Sequence, residues 1–260
     1  MIALLEAIAP YAQLAPYTVV PLMALFTRLS LLIFLLPAIG TRIIPVQVRV
    51  SVALAVTLIL FPLVGDRLVV PEANLLALLM GEAFVGFYLG FSLRVMIFVL
   101  SLVGAIVAQS LSLSQIFGAG ISEDSNTTIS TILTMAAATI FLTLGLHISA
   151  LELLVQSYDI FVPGSVFMDN SLGFAAEKAV EACARGFALA FSMAAPFLLL
   201  NLAYNMLLGV LNRAMPQLMV TFVGMPAITL TGLFLLTAAA GATLVLWRDA
   251  TLAIFGTVLP

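Results

Sequence analysis

The amino-acid sequence predicts an all-α, polytopic membrane protein. Of its 260 residues, 63% are hydrophobic and 8% are charged, whereas soluble domains average about 45–50% apolar and about 25% charged residues. The apolar residues form long continuous runs, unlike the short alternating segments of a membrane β-barrel, and an open sheet would leave backbone groups unpaired in lipid. The chain therefore lies in lipid or inside a large apolar assembly, and we expect no soluble domain.

Five apolar runs are each long enough for a membrane-spanning helix, which needs about 20 residues. They cover residues 17–36, 46–64, 129–155, 186–211 and 218–246. Prolines separate the first two runs, because a proline offers no backbone N–H and ends or kinks a helix. Pro196 and Pro226 interrupt the last two runs, and residues 171–185 have the pattern of an amphipathic helix start. The chain is therefore expected to form bent and broken helical hairpins.

A sixth apolar region, residues 73–113, is too long for one simple span. At a rise of about 1.5 Å per residue it is long enough to cross a bilayer about twice. It contains Glu82, Arg94 and four glycines, which permit close approach between helices. One long bent helix and a helical hairpin both remain open, because the periodicity does not distinguish them.

The clearest loop follows, at residues 110–128, which are rich in Ser, Gly, Asn and acidic residues. Loops carry function more often than packed helices do. An apolar, flexible stretch in its middle suggests a mobile plug, and a plain solvent loop is the alternative. The candidate plug residues are Ser110, Ser112, Ser114, Gln115, Ile116, Phe117, Gly118, Gly120 and Ser122.

Three ionisable residues, Arg28, Glu82 and Arg94, lie inside apolar runs. A charge at the bilayer centre costs at least about 2.5–3.5 kcal/mol, so each of them needs a reason to be there. One hypothesis is an ion or proton path. We favour the other, a structural pair of Glu82 with Arg28 or Arg94, because a proton relay normally shows more acidic groups. His147 is either a proton switch or, as we favour, a polar residue at a helix end.

The remaining counts exclude several function classes. The net charge of −3 argues against nucleic-acid binding, which needs a basic stripe. A single cysteine, Cys183, excludes an intrachain disulfide and a cysteine-based metal site. No phosphate-binding loop, H-E-x-x-H or G-x-S-x-G motif occurs. The first basic residue is Arg28, unlike a secretory signal peptide. We expect no catalytic residue, metal or cofactor.

Four groups of motifs follow one another along the chain. They are Arg28-x8-Pro37 with Arg42-Ile43-Ile44-Pro45 and Arg49; Glu82-x3-Gly86-x3-Gly90-Phe91; Ile140-Phe141-Leu142-Thr143 with His147 and Pro163-Gly164; and Leu211-Asn212-Arg213-Ala214-Met215-Pro216-Gln217 with Val223-Gly224-Met225-Pro226. Together these motifs resemble the FliR family of flagellar export-gate proteins and its injectisome counterparts. The residues singled out for assembly are Pro37, Pro45, Arg49, Asn212, Arg213, Pro216, Gln217, Gly224 and Pro226. Taken together, the motifs resemble those of the flagellar proteins more closely than those of the injectisome proteins.

The resemblance implies a non-enzymatic, pore-forming subunit of the flagellar type III protein export gate in the bacterial inner membrane. It implies one domain over residues 1–260, with a FliP-like part to residue 165 and a FliQ-like part from 166. The implied partners are FliP-like, FliQ-like, FlhB-like and FlhA-like subunits, unfolded export substrates and lipid. By position, residues 110–122 match the plug loop of the family, although the Asp-Pro that often ends that loop is absent.

Two other classes of function fit the sequence less well. A small-solute secondary transporter commonly shows internal repeats, and we find no convincing repeat. An intramembrane enzyme needs a catalytic constellation, which is missing. Co-purification distinguishes a gate subunit from a transporter or an enzyme, because only a gate subunit is expected to co-purify with FliP-like and FliQ-like chains.

Overall fold

The computed structural model describes residues 2–40, 44–68, 75–111, 125–166, 171–214 and 220–259. These residues form seven α-helices and contain no β-strand, which confirms the all-α fold. The helices are α1 (Ile2–Leu35), α2 (Val46–Val64), α3 (Leu75–Ser110), α4 (Ser125–Thr143), α5 (Leu146–Ile160), α6 (Ser171–Ala214) and α7 (Val220–Phe255).

Several of these helices are suited to crossing a bilayer. The segments that are long and apolar enough are α2, α3, α6 and the Pro226–Phe255 part of α7. Thr128–Thr143 and α5 pass the same test only as a pair, because a short break separates them. The polytopic membrane character is therefore confirmed. The division into FliP-like and FliQ-like parts stays a prediction.

The apolar runs of the sequence and the observed helices agree in part. Helix α2 has the predicted bounds, Val46–Val64, and packs against α1. Helix α1 begins at Ile2, well before residue 17. The polar residues from Ser171 and the apolar run that follows form one helix of 44 residues, α6, which continues through Pro196. The helix continues although a proline inside it removes one backbone hydrogen bond.

The long apolar region after residue 73 forms a single helix rather than a hairpin. Helix α3 has 36 residues, a length of about 54 Å at 1.5 Å per residue. No proline interrupts it. Its glycines lie where another chain segment approaches, since a Cβ on Gly86 would overlap the main chain of Arg28 and one on Gly104 would overlap that of Ser130.

The run predicted over residues 129–155 is broken into α4 and α5. The break is at Leu144 and Gly145, and Gly145 has a φ of +70°. Left-handed backbone is unfavourable for residues with a Cβ, so glycine is the residue that permits this turn. A Cβ there would meet no atom within 4 Å, which means that the backbone conformation, and not crowding, requires glycine.

The chain divides into two compact units. The first comprises Met1–Arg94, Leu142–Ala182 and Ala253–Pro260. Its core is formed largely by leucines of α1 and by residues of α3 and α5, such as Leu25, Leu89 and Leu154, which are fully buried. Tyr88 Oη donates a hydrogen bond of 2.6 Å to the carbonyl oxygen of Val258, which ties the C-terminal residues to this core.

The second unit comprises Val95–Phe141 and Cys183–Leu252. The Nε1 atom of Trp247 donates a hydrogen bond of 2.7 Å to the carbonyl oxygen of Met96, and the indole is fully buried. Ser130 Oγ donates to the carbonyl oxygen of Ser101 at 2.8 Å. These bonds join α7 and α4 to the C-terminal part of α3.

A buried arginine–glutamate cluster as candidate functional site

The most unusual feature of the first unit is a fully buried ion pair between α1 and α3. Arg28 Nε donates to Glu82 Oε2 at 2.7 Å, and Arg28 Nη2 donates to Glu82 Oε1 at 2.9 Å. Both side chains are 0% exposed. The two parallel bonds form the bidentate geometry that suits a planar guanidinium and a carboxylate.

Residues at the end of α5 complete the cluster. Arg28 Nη1 donates to Ser157 Oγ at 2.9 Å, and Nη2 also donates to the carbonyl oxygen of Phe161 at 3.1 Å. The Tyr158 hydroxyl donates to Glu82 Oε2 at 3.3 Å. The guanidinium thus makes four hydrogen bonds, and both carboxylate oxygens accept at least one.

The charge of Arg28 has two further favourable contacts. Its Cζ atom lies 3.7 Å from the centroid of the Tyr158 ring, within the range of a cation–π interaction. The carbonyl that it binds belongs to Phe161, the C-terminal cap of α5, where the helix dipole is negative. The cluster therefore joins three helices through one cation.

Arg94 does not share in this cluster. Its Nη1 atom donates to the carbonyl oxygen of Gly40 at 3.1 Å, in the turn that follows α1. Of the two partners that the sequence left open for Glu82, the structure places Arg28 against it. Arg94 instead holds the turn in which Ala38 has a φ of +70°.

The family-motif residues of the first unit cluster around the same turn. Pro37 is buried in it, and Pro45 is the N-terminal cap of α2. The guanidinium of Arg49 lies 5.1 Å from the centroid of the Phe34 ring. Its buried Nε atom has no hydrogen-bond partner among the described residues. The same holds for Nδ1 of His147 near the start of α5, which therefore does not bond a neighbouring carbonyl through that atom.

The motif residues of the second unit lie at the ends of α6 and α7. Asn212 and Arg213 are exposed in the last turn of α6. Gly224 and Pro226 lie in the first two turns of α7. Pro216 and Gln217 lie outside the described residues.

The predicted plug falls almost entirely outside the described residues. Ser110 is the last residue of α3 and is buried. The other candidates lie outside the described part of the chain: Ser112, Ser114, Gln115, Ile116, Phe117, Gly118, Gly120 and Ser122.

Sequence reasoning missed the residues that complete the buried cluster. Ser157 and Tyr158 follow the apolar run of residues 129–155, and Phe161 contributes only a backbone oxygen. A signal existed, because a hydroxyl pair at the end of an apolar run is a suitable partner for an intramembrane charge. Its target could not be read from the sequence, since Ser157 lies 129 residues from Arg28.

The comparisons with known proteins agree with the motif string. Residues 19–253 match bacterial export proteins, family 1. The chain is 32% identical over 229 residues to the flagellar biosynthetic protein FliR of Caulobacter vibrioides, which covers 86% of this chain and 90% of the relative.

The chain belongs to the FliR family of bacterial export proteins. Two more FliR proteins are 27% identical to it. That of Escherichia coli matches over 213 residues, 81% of this chain and 80% of the relative, and that of Aquifex aeolicus over 221 residues, 84% of each. The resemblance is confirmed, and this FliR-type chain is a membrane component of the flagellar export apparatus.

Proposed function

We propose that the chain is a non-enzymatic, pore-forming subunit of the flagellar type III export gate in the inner membrane, at the base of the flagellum. The observation that carries the proposal, together with family membership, is the large exposed apolar surface of its helices. Only 11% of the apolar window of α2 and 17% of that of α7 are buried within the chain. Such surface requires lipid or other apolar subunits around it.

The buried cluster supports a structural role for Arg28 and Glu82. A proton path needs a carboxylate that exchanges protons with water, whereas Glu82 is fully buried and bound by Arg28 and Tyr158. We therefore propose that the pair sets the register of α1, α3 and α5.

The proposed partners are FliP-like, FliQ-like, FlhB-like and FlhA-like subunits, with unfolded flagellar proteins as the cargo. Cells that lack the chain should form no flagellar filaments. A tagged chain purified from native membranes should retain the FliP-like, FliQ-like, FlhB-like and FlhA-like subunits, which mass spectrometry identifies. A stable homo-oligomer that transports a small solute would contradict the gate and favour the secondary transporter.

We further propose that residues 110–122 close the resting pore. A protein-conducting channel has to pass unfolded chains and still retain ions, and flexible apolar residues close around a chain or around each other. Deleting residues 112–122, which leaves α3 intact, should raise the ion conductance of the assembled gate in planar bilayers. Unchanged conductance, with the deleted chain present in the complex, would contradict the plug.

A further inference from the structure

Two arginines of the first unit, Arg49 and Arg94, lie beside the turn that follows α1. Arg94 Nη1 donates to the carbonyl oxygen of Gly40 at 3.1 Å, and the Arg49 guanidinium lies 5.1 Å from the centroid of the Phe34 ring. A Cβ on Gly40 would overlap the carbonyl group of Phe34, so the two residues that the arginines contact are neighbours. The two cations, here called the Arg49–Arg94 pair, are therefore held at one place.

The surrounding sequence supplies no counter-charge for this pair. Residues 7–65 contain three arginines and no acidic residue, and residues 83–110 contain Arg94 and no acidic residue. Glu82, the acid that precedes Arg94 on α3, is already bound by Arg28. Within the described part of the chain, neither arginine of the pair has a carboxylate partner. The pair is thus a local excess of positive charge.

Both guanidinium groups have hydrogen-bond donors left for a ligand. Each carries five N–H donors, of which Arg94 uses one on Gly40. Arg49 makes no hydrogen bond to the residues that the structure describes, and its Nε atom is buried. A ligand therefore has to approach Arg49 at its two Nη atoms, which form the fork that suits phosphate oxygens. Two such forks beside one turn suit an anion with several oxygens.

The lengths of α2 and α3 place the pair at the level of lipid headgroups. Helix α2 is about 27 Å long, and α3 from Leu75 to Arg94 measures about 28 Å, close to the hydrocarbon thickness of about 30 Å. Arg49 lies in the first turn of α2 and is its only charged residue. Only 11% of the apolar window of α2 is buried. An arginine at the end of such a span extends its charge toward the headgroups.

We propose that the Arg49–Arg94 pair binds the phosphate group of an anionic phospholipid, whose acyl chain lies along α2. Leu54, Leu58 and Ile59 are 49%, 57% and 71% exposed, and they follow Arg49 within about 15 Å along the helix. Two positive charges favour a lipid with a net negative charge over a zwitterionic one. The proposal goes beyond the export gate, since it depends only on the membrane that the chain spans.

The position of the pair favours a lipid over other anions. A free phosphate ion gains nothing from the exposed apolar side chains of α2, whereas a phospholipid contacts those side chains and the cations together. Headgroup phosphates are present at this depth around any exposed span, whereas a protein carboxylate requires one particular partner. Free phosphate and a carboxylate of another chain are therefore the occupants that the experiment has to exclude.

Photoreactive lipids test the occupant directly. The tagged full-length chain, with whichever subunits it retains, is placed in phosphatidylcholine bilayers that contain photoreactive phosphatidylglycerol or, in parallel, photoreactive phosphatidylcholine. Mass spectrometry measures the lipid adducts on residues 44–54. Phosphatidylglycerol should give at least about fivefold more adduct, the factor for one arginine at an anionic surface. Equal adducts from both lipids, or adducts that excess inorganic phosphate removes, would overturn the proposal.

Substitutions connect the lipid preference to the two arginines. Arg49→Gln and Arg94→Gln should each lower the phosphatidylglycerol adducts about fivefold, and Arg49→Lys should retain most of them because the charge remains. Arg67→Gln is the matched control, since it removes a positive charge beyond the other end of α2 that Asp159 already neutralises. Unfolding midpoints identify the variants that fold normally. A folded Arg49→Gln with the full lipid preference would contradict the site.

A protein occupant is tested with a second probe. Benzoylphenylalanine at Val48, which is 50% exposed beside Arg49, should form adducts with lipid. Adducts with another protein chain would instead assign the cations to a carboxylate of that chain and overturn the lipid site. The export gate is tested separately, because retention of export subunits by the unaltered chain does not depend on which lipid binds at Arg49.

Discussion

Arg28 and Glu82 are 54 residues apart in sequence and form a bidentate ion pair from which water is excluded, with bonds of 2.7 and 2.9 Å. Removing two charges from water is costly, and the cost is offset only where the geometry is good and the remaining hydrogen-bonding groups are satisfied. Ser157, Tyr158 and the Phe161 carbonyl supply those partners. Through these contacts the cluster joins α1, α3 and α5.

Glu82→Gln should strongly destabilise the chain. The change preserves the shape of the side chain and leaves the Arg28 charge buried without a counter-charge, which costs about 3–5 kcal/mol. The unfolding midpoint in detergent and the amount of chain in the assembled gate should fall together. As a control, Arg67→Gln breaks an exposed pair with Asp159 and should cost less than about 1 kcal/mol. Normal assembly of Glu82→Gln with lost export would instead assign the carboxylate to transport.

The double variant Arg28→Met, Glu82→Leu should be more stable than the sum of the single changes predicts. Replacing both charges by apolar side chains removes the desolvation cost together with the attraction, so the coupling energy should be at least about 1 kcal/mol. A double-mutant cycle measured by denaturant unfolding gives this value. Additive effects would mean that the two side chains do not act as a pair.

Gly86→Ala should separate α1 from α3. The added Cβ would overlap the main chain of Arg28, and overpacking of this kind costs about 1–3 kcal/mol. Gly241→Ala is the matched control, because a Cβ there meets nothing within 4 Å and alanine favours a helix by up to about 1 kcal/mol. Unfolding midpoints of both variants check the expectation. A neutral Gly86→Ala would mean that α1 is not packed this closely.

Gly145→Ala should destabilise the chain through its backbone alone. The φ of +70° costs a residue with a Cβ about 1–2 kcal/mol, although the side chain itself would meet open space. Gly145→Asn should cost less, because asparagine tolerates the left-handed conformation. Equal stability of the alanine and asparagine variants, measured by denaturant unfolding, would contradict a left-handed residue at this break.

The single tryptophan offers a direct check on the second unit. Trp247 is fully buried and hydrogen-bonded to Met96, so its fluorescence should be blue-shifted and resist quenching by a brominated detergent. A matched probe is Phe234→Trp in a Trp247→Phe background, since Phe234 is 74% exposed. That tryptophan should be quenched strongly. Equal quenching at both positions would contradict the packing of α7 on α3.

Sequence patterns predicted some of the local features and left others undecided. The bounds of α2 agree with its apolar run, since a span depends on the hydropathy of its own residues. The break at Gly145 was missed, because a lone glycine in an apolar run is equally compatible with a continuous helix. The sequence is compatible with both a single helix α3 and a hairpin, because periodicity does not distinguish the two.

The composition by itself determined that this is a membrane protein, because 8% charged residues cannot cover the surface of a soluble protein. Its long apolar runs determined that it is helical, because backbone groups in lipid have to be hydrogen-bonded within the chain. The motif string determined the family. Only the tertiary structure decided that Glu82 binds Arg28 and not Arg94, and that Ser157 and Tyr158 complete the buried cluster. Such choices depend on how helices far apart in sequence pack, which no local pattern records.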